Sequence, residues 1–246
     1  MLNFLRDPNL RDMTDNVSNI SCAASVVTQA LIELNSQYWK AGANSAYIRD
    51  ALLASSSYSQ VVSKILMYLE FDRISQPVDE IECDCGWWGY NAYMLQAFPS
   101  EKIISTDIDD DATLLASQIL TSEAFEVVKD DVLGRKLPLS EKRRAVVNTS
   151  LEHFTKNEAE ALLTDMVRAA PIYMYVQCTN MPATDHKWMP SFDEFRELVS
   201  RVVYNPPSQG GPPTDMYSPI VTRQIRLYDG VYRYSAMLSD KKRRKW

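Results

Sequence analysis

The chain has 246 residues, of which 46% are hydrophobic and 24% are charged, so it can bury the core of one domain that carries an extension. Its net charge of −6 argues against broad electrostatic attraction to nucleic acid. No apolar run approaches the roughly 18 residues of a membrane span, and residues 1–15 lack the apolar region of a secretory signal. The four cysteines show no CxxC spacing that would indicate a zinc site. We expect them to be reduced thiols of a cytoplasmic protein.

Apolar residues recur at helical spacing through the first third of the chain, at Ile20, Val27 and Leu34 among others. Two shorter helices are predicted at 45–54 and 57–70, and no strand pattern precedes them. We therefore expect a helical extension before the main domain. Such an extension can act as a lid over a site or as the surface of a homodimer.

Strands and helices alternate through the following part of the chain. The predicted strands are 81–85, 102–106, 125–128, 144–148 and 172–177, and the predicted helices are 91–98, 112–120, 158–170 and one that begins at Ser191. Capping boxes mark the last two helices, at Thr155 with Glu158 and at Ser191 with Glu194. This alternation predicts a parallel sheet covered by helices.

Two further β-rich runs, 222–228 and 231–237, flank Asp229 and Gly230, a dipeptide typical of tight hairpins. The fold class is therefore α/β, with a seven-stranded, mostly parallel sheet that ends in an antiparallel β-hairpin. The expected division is a helical extension or lid at 1–75, a ligand-binding domain at 76–240 and a basic tail at 241–246, which is either a solvated end or a phosphate-binding segment.

Ligands bind an open α/β sheet at the carboxyl ends of its strands, near the point where the strand order reverses. Polar side chains are concentrated directly after the predicted strands. They are Asp107, Asp109 and Asp110, then Asp130 and Asp131, then Asn148, Thr149, Ser150, Glu152 and His153, and finally Asn180, Asp185 and His186. Because both histidines of the chain belong to this set, we expect the functional site at this edge of the sheet.

Two of the seven glycines, Gly86 and Gly89, lie close together after the first predicted strand. The run that contains them, IECDCGWWG, is similar to the first motif of class I S-adenosylmethionine-dependent methyltransferases, an acidic residue followed by alternating glycines. Glu82 matches the acidic position and Gly86 the middle glycine. Asp84 and Trp88 stand at the other two glycine positions.

The resemblance covers roughly residues 75–238. Asp107, 25 residues after Glu82, matches the acidic residue that holds the ribose hydroxyls, and Asp131 matches the acidic position near the adenine. The stretch NTSLEH resembles the motif after the fourth strand in some bacterial and phage-encoded members. The resemblance implies a Rossmann-like fold and an S-adenosylmethionine site made of Glu82, Asp84, Gly86, Trp88, Gly89, Asp107, Ile108, Asp131 and Asn148.

A nicotinamide-dependent oxidoreductase is the competing interpretation, because a carboxylate can also accept both hydrogen bonds of the NAD ribose. The NAD fingerprint, however, needs a glycine turn that receives a pyrophosphate, and Asp84 would repel that group. The cationic sulfonium and ammonium groups of S-adenosylmethionine tolerate a carboxylate, and Trp87 or Trp88 offers them a cation–π face. Trp88 also leaves open a degenerate methyltransferase fold that has lost its cofactor and keeps a structural or interaction role.

Methyl transfer mainly requires alignment of the acceptor with the sulfonium methyl group, and an oxygen or amine acceptor also needs a base. The candidate catalytic residues are His153, Glu152 and His186, together with Asp185. His153 can instead cap or orient a neighbouring segment, and His186 can be a surface residue of its loop. The two acid–histidine pairs lie far apart in the sequence, so no metal site is predicted, although some O-methyltransferases hold a divalent ion.

The sequence thus predicts an S-adenosylmethionine-dependent methyltransferase that acts on a small molecule or a protein. The helical extension has few basic residues, which argues against duplex DNA as the acceptor. No membrane partner is expected.

Overall fold

The computed structural model describes residues 58–71, 77–84, 86–133, 143–169, 171–204 and 221–239, and helical positions at 25, 27–30, 32, 33 and 36. The predicted helix at 45–54, the loop at 205–219, the basic tail and Cys22 lie outside the described residues. Cys83 and Cys178 are buried free thiols, and burial raises the pKa of the Cys178 thiol.

The helices are α1 (Tyr58–Phe71), α2 (Gly86–Leu95), α3 (Asp110–Ile119), α4 (Lys156–Arg168) and α5 (Phe192–Tyr204), with a 3-10 helix at Leu151–His153. The strands are β1 (Val78–Asp84), β2 (Ser100–Asp107), β3 (Phe125–Lys129), β4 (Arg144–Asn148), β5 (Tyr173–Thr179), β6 (Val221–Tyr228) and β7 (Val231–Ser239). Among the described helices, none has the length and apolar character needed to cross a membrane.

The strands form one sheet in the order β3-β2-β1-β4-β5-β7-β6. Strands β1 to β5 pair in parallel, and β7 runs antiparallel to both β5 and β6. This confirms the predicted α/β class and the terminal hairpin, whose turn places Gly230 at a φ of 72°. The strand order reverses between β1 and β4, so the carboxyl ends of these two strands border the position where such sheets bind ligands.

Helices cover both faces of the sheet. Strand β4 shows this, since successive side chains of a strand point to opposite faces. Ala145 and Val147 of β4 belong to one buried cluster with residues of α1, α2 and α3. Val146 belongs to a second cluster with residues of α4 and α5. Helix α1 is thus part of the same core as the sheet.

Both predicted capping boxes are confirmed. The backbone N–H of Glu158 donates to Thr155 Oγ1 at 3.3 Å, and Glu158 Oε2 accepts from the Thr155 N–H at 2.7 Å. Ser191 and Glu194 repeat the arrangement at 3.3 and 2.8 Å. These reciprocal bonds satisfy N–H groups that the first turns of α4 and α5 leave without helical partners.

The start of α2 was predicted wrongly. The sequence predicts a helix at 91–98, whereas α2 runs from Gly86 to Leu95. Two glycines close together after a strand favour a turn, whereas Gly86 and Gly89 both belong to α2. The sequence does not indicate this helix, because residues on several of its sides are buried and it has no one-sided apolar stripe. Among the residues of α2 whose burial the structure describes, the buried ones are Gly89, Tyr90, Asn91, Ala92, Met94 and Leu95.

Two features of α2 require glycine at position 89: the positive φ of its backbone and the lack of space for a Cβ atom. Its φ is 91°, and a Cβ built on it would lie 3.1 Å from Leu120 Cδ1 and 3.2 Å from Ala116 Cβ. We expect Gly89→Ala to lower the free energy of unfolding by about 1–3 kcal/mol in urea titrations, because left-handed strain and crowding add.

Gly230→Ala is the matched control, since Gly230 also has a positive φ, yet no atom of the described residues lies within 4 Å of the position that its Cβ would take. Its loss of stability should be smaller than that of Gly89→Ala. Equal losses at both positions would contradict the crowding argument.

Candidate functional site

A cavity opens where the carboxyl ends of β1, β2 and β4 meet. Glu82 and Asp84 of β1, Thr106 of β2 and Asn148 of β4 line it, and α4 closes it with Met166 and neighbouring residues. The fold thus brings three predicted cofactor residues, Glu82, Asp84 and Asn148, to one cavity.

Asp107 ends β2 and is partly buried at the rim. Its carboxylate accepts a hydrogen bond from the Asp109 N–H at 3.0 Å, and its carbonyl accepts one from the Asp130 N–H at 2.9 Å. Burial raises the pKa of Asp107, while the Asp109 N–H opposes the rise. The next residue, Ile108, is 64% exposed, so an apolar side chain stands free beside the carboxylate.

Asp131 and Glu82 are each engaged within the protein. Asp131 follows β3 and accepts the Leu133 N–H at 2.9 Å, which stabilises its own turn. Glu82 is buried in β1, where its Oε2 lies 4.0 Å from Arg144 Nη1. The Glu82 carboxylate is therefore part of a charged pair beneath the rim.

Gly86, the middle glycine of the motif, is the first residue of α2. The side chains of Trp87 and Trp88 lie outside the described residues, and so does the cation–π face that the sequence predicts for them. Asn148 is buried at the end of β4, and its Oδ1 accepts the Ser150 N–H at 3.2 Å.

Lys64 of α1 is a buried cation that sequence reasoning missed. Its ammonium donates to Asn91 Oδ1 and lies 5.4 Å from the centroid of the Tyr90 ring. Burial lowers the pKa of Lys64 to about 8, and the charge of Asp84 opposes this decrease. The available signal was a lysine between Val61 and Ile65, on the apolar side of a predicted helix.

The buried Lys64 makes stability depend on pH in a defined direction. Between the folded pKa of about 8 and the ordinary value of 10.5, the unfolded chain binds more protons at this site than the folded protein. The free energy of unfolding of the wild type, compared with Lys64→Met, should therefore rise between pH 7 and pH 10. Urea titrations at both pH values measure it, and a constant difference would contradict the lowered pKa.

Glu152, His153 and His186 converge at the same edge of the sheet. One potential ligand atom from each lies within 4.8 Å of those of the other two. The two imidazole rings meet edge to face with centroids 5.0 Å apart. Glu152 is buried, and its Oε1 lies 3.8 Å from Nη1 of the buried Arg233 on β7.

Backbone hydrogen bonds bring the two distant acid–histidine pairs together. The carbonyl of Glu152 accepts from the Lys187 N–H at 2.8 Å and from the Trp188 N–H at 3.2 Å. Trp188 is buried in the cluster formed by α4 and α5, so it anchors the loop that carries His186. These contacts depend on tertiary packing and have no pattern in the sequence.

Both histidines use Nδ1 to contact an oxygen. His153 Nδ1 lies 3.1 Å from Asp185 Oδ2, and His186 Nδ1 lies 2.6 Å from the Met181 carbonyl oxygen. A carbonyl can only accept, so Nδ1 of His186 carries a proton, and Asp185 favours the same tautomer at His153. Each neutral ring then presents the lone pair of Nε2, which can accept a proton or bind a metal ion.

No protein-family model matches the sequence, and no curated protein sequence matches it. Many solved structures share its fold. The small RNA methyltransferase HEN1 has a TM-score of 0.59 and 14% identity, over 74% of this chain and 25% of that chain. The chain thus spans about a quarter of the length of the HEN1 chain.

Two smaller structures are similar over nearly their whole length. The N-methyltransferase NodS from Bradyrhizobium japonicum WM9, in complex with S-adenosylhomocysteine, has a TM-score of 0.56 and 12% identity, over 83% of this chain and 98% of that chain. The methyltransferase domain of bacterial CtHen1 has a TM-score of 0.52 and 16% identity, over 76% and 99%. The chain therefore has the Rossmann-like fold of class I S-adenosylmethionine-dependent methyltransferases.

Proposed function

We propose that this protein is an S-adenosylmethionine-dependent methyltransferase that methylates a hydroxyl oxygen, positioned by a divalent metal ion at Glu152, His153 and His186. The observation that carries the proposal is the convergence of these three side chains at the edge of the sheet where Asp107 lies. On this proposal, Asp107 binds the cofactor and the three-residue cluster binds the acceptor, at the same edge of the sheet.

The cofactor half of the proposal rests on Asp107. An ionised carboxylate only accepts hydrogen bonds, so it can receive both hydroxyls of a ribose. Ile108 beside it offers an apolar surface to an adenine ring, and Asp131 and Asn148 border the same strand ends. The acidic rim also suits a cofactor that carries a sulfonium and an ammonium charge.

The metal half of the proposal rests on the donor set. Oε2 of Glu152 is buried and makes no hydrogen bond to any residue that the structure describes. Two imidazoles held by oxygen acceptors and one carboxylate form a set that suits zinc and other first-row transition ions. Glu152, His153 and His186 would hold the ion. A bound ion would act as a Lewis acid that lowers the pKa of an acceptor hydroxyl.

The protein's own contribution to the reaction is alignment. The acceptor oxygen forms a bond to the methyl carbon while the carbon–sulfur bond breaks onto sulfur, which leaves neutral S-adenosylhomocysteine and releases the hydroxyl proton. Holding both partners in line converts a bimolecular displacement into a step within one complex. In a reaction without metal, Nε2 of His153 would accept that proton.

Calorimetric titration with S-adenosylhomocysteine tests the cofactor half. We expect saturable binding with one site per chain. A flat trace from protein whose folding is verified by circular dichroism would overturn the proposal and favour the degenerate fold. Binding of NAD in its place would favour the nicotinamide interpretation.

Titration with Co²⁺, followed by its visible absorption bands, tests the metal half. The wild type should give bands typical of nitrogen and oxygen ligands, and His186→Ala should lose them. Glu197→Gln is the control, because Glu197 is an exposed carboxylate on α5. Methyl transfer without any Co²⁺ band would instead favour His153 as a base.

Transfer of a labelled methyl group identifies the acceptor. Catechol and the 3′ end of RNA both present adjacent hydroxyls, and the HEN1 neighbour is by name a small RNA methyltransferase. We expect label on such a diol, and none on an oligonucleotide whose terminal diol is blocked. Label found only on amine acceptors would contradict the hydroxyl assignment.

A further inference from the structure

Asp84 stands at a position where the first motif of methyltransferases has glycine, and its side chain bridges two strands. The Thr149 N–H lies 3.1 Å from Oδ1 and 3.0 Å from Oδ2, and Thr149 Oγ1 donates to Oδ2 at 3.0 Å. Asn91 Nδ2 donates to Oδ1 at 2.9 Å. The carboxylate therefore binds the first residue after β4 through both its backbone and its side chain.

Asn91 links this carboxylate to the buried cation of α1. Its amide donates to Asp84 and to Thr149 Oγ1, the latter at 3.0 Å, while its Oδ1 accepts from the Lys64 ammonium. Asn91 is fully buried, Lys64 is 1% exposed and Thr149 is 8% exposed. A buried positive charge and a partly buried negative charge are thus joined through one amide, which lowers the cost of burying the Lys64 ammonium.

The anchored residue leads directly to the proposed acceptor site. Thr149 is followed by Ser150, whose N–H is held by Asn148, and then by the 3-10 helix Leu151–His153. Only two residues separate Thr149 from Glu152. A shift of Thr149 would therefore move the carboxylate and the imidazole that the 3-10 helix carries.

We propose that Asp84 is a positioning residue, which fixes Thr149 and thereby the placement of Glu152 and His153, with Lys64 as its charge partner through Asn91. On this account, aspartate in place of the motif glycine adds hydrogen bonds that join the end of β1 to the residue after β4. The inference rests on the proposed function for its catalytic meaning, but the placement of His153 is measurable without it.

The test uses Asp84→Gly, which restores the residue of the motif, and Asp84→Asn, which keeps an acceptor oxygen. The side-chain resonances of His153 report its placement in metal-free protein, and they are simple to assign because the chain has two histidines. We expect Asp84→Gly to shift or broaden them and Asp84→Asn to leave them close to wild type. Asp111→Asn, an exposed acid in the first turn of α3, is the control.

Ligand affinities separate this role from direct cofactor binding. We expect Asp84→Gly to weaken Co²⁺ binding at least roughly tenfold and to change the affinity for S-adenosylhomocysteine less than threefold. Weaker S-adenosylhomocysteine binding with unchanged Co²⁺ binding would overturn the inference, because Asp84 would then contact the cofactor. Tighter S-adenosylhomocysteine binding in Asp84→Gly would overturn it as well.

A double variant tests the charge partnership. Asp84→Gly leaves the Lys64 ammonium buried without its compensating carboxylate, so the denaturation midpoint should fall. Asp84→Gly with Lys64→Met should recover part of that loss, and simple addition of the two single effects would contradict the pairing. If the wild type binds neither ligand, the proposed function fails, whereas unmoved His153 resonances in Asp84→Gly refute the positioning role itself.

Discussion

Asp107→Ala is expected to weaken binding of S-adenosylhomocysteine by at least roughly 100-fold in calorimetric titration. Hydrogen bonds to a charged acceptor contribute about 1.5–3 kcal/mol each, and the ribose diol supplies two of them. Because about 1.4 kcal/mol corresponds to a factor of ten in affinity, two lost bonds of the weaker kind give two orders of magnitude.

Two further variants show whether the carboxylate itself is responsible. Asp107→Asn retains an acceptor for the Asp109 N–H, which lies 3.0 Å from the wild-type carboxylate, so the turn after β2 should persist. It loses the negative charge and one acceptor, and its affinity should lie between those of wild type and Asp107→Ala. The exposed Asp111→Asn should bind like wild type.

The result would be contradicted by an affinity within threefold of wild type for Asp107→Ala. The partly buried carboxylate would then serve only the turn that it forms with Asp109. In that case the methyltransferase fold would remain, but Asp107 would no longer identify its cofactor site.

Much of the fold could be predicted from the sequence because its signals are local. The end of β2 at Asp107 and the turn at Asp229 and Gly230 follow from short apolar runs that end in polar residues or glycine. The capping box of Thr155 and Glu158 is a four-residue pattern. Such features depend on neighbours along the chain, so the sequence displays them directly.

The predictions that failed or were not made concern contacts between distant segments. Helix α2 is buried on several sides and has no helical stripe, so its first turn was interpreted as a loop. The amide of Asn91 joins Lys64 to Asp84, and no spacing in the sequence predicts these hydrogen bonds. Residue types alone could show that the rim was polar, but tertiary packing decides which polar groups meet.

The acid–histidine cluster illustrates the same distinction. Glu152, His153 and His186 were each predicted as site residues, yet their separation in sequence argued against a shared metal. The bonds from Lys187 and Trp188 to the Glu152 carbonyl bring them together. The sequence therefore indicated the members of the cluster and not their arrangement.

Glu152→Leu is expected to lower the free energy of unfolding by about 3–5 kcal/mol, because it leaves the guanidinium of Arg233 buried without the carboxylate that faces it. Arg233 is 1% exposed and Glu152 is 4% exposed. Burial raises the pKa of Glu152, and Arg233 acts against that rise, so the guanidinium stabilises the ionised form of the Glu152 carboxylate. Urea titrations of the wild type and the variant measure the loss.

The exposed pair of Glu160 and Arg201 is the control. Its nitrogen and oxygen lie 2.7 Å apart, closer than the 3.8 Å between Arg233 and Glu152. Glu160→Gln should nevertheless cost less than about 1 kcal/mol, because water screens a solvent-facing pair and replaces its contacts. A larger loss at the exposed pair would mean that distance, and not burial, determines the effect.

A double variant separates the structural role of Glu152 from its proposed function. Glu152→Leu with Arg233→Met removes both buried charges, so it should recover a substantial part of the stability that the single variant loses. It should not recover Co²⁺ binding, because the oxygen ligand is still missing. Recovery of both properties would show that Glu152 acts only as the counter-charge of Arg233, and the acceptor site would then have to be sought away from His153 and His186.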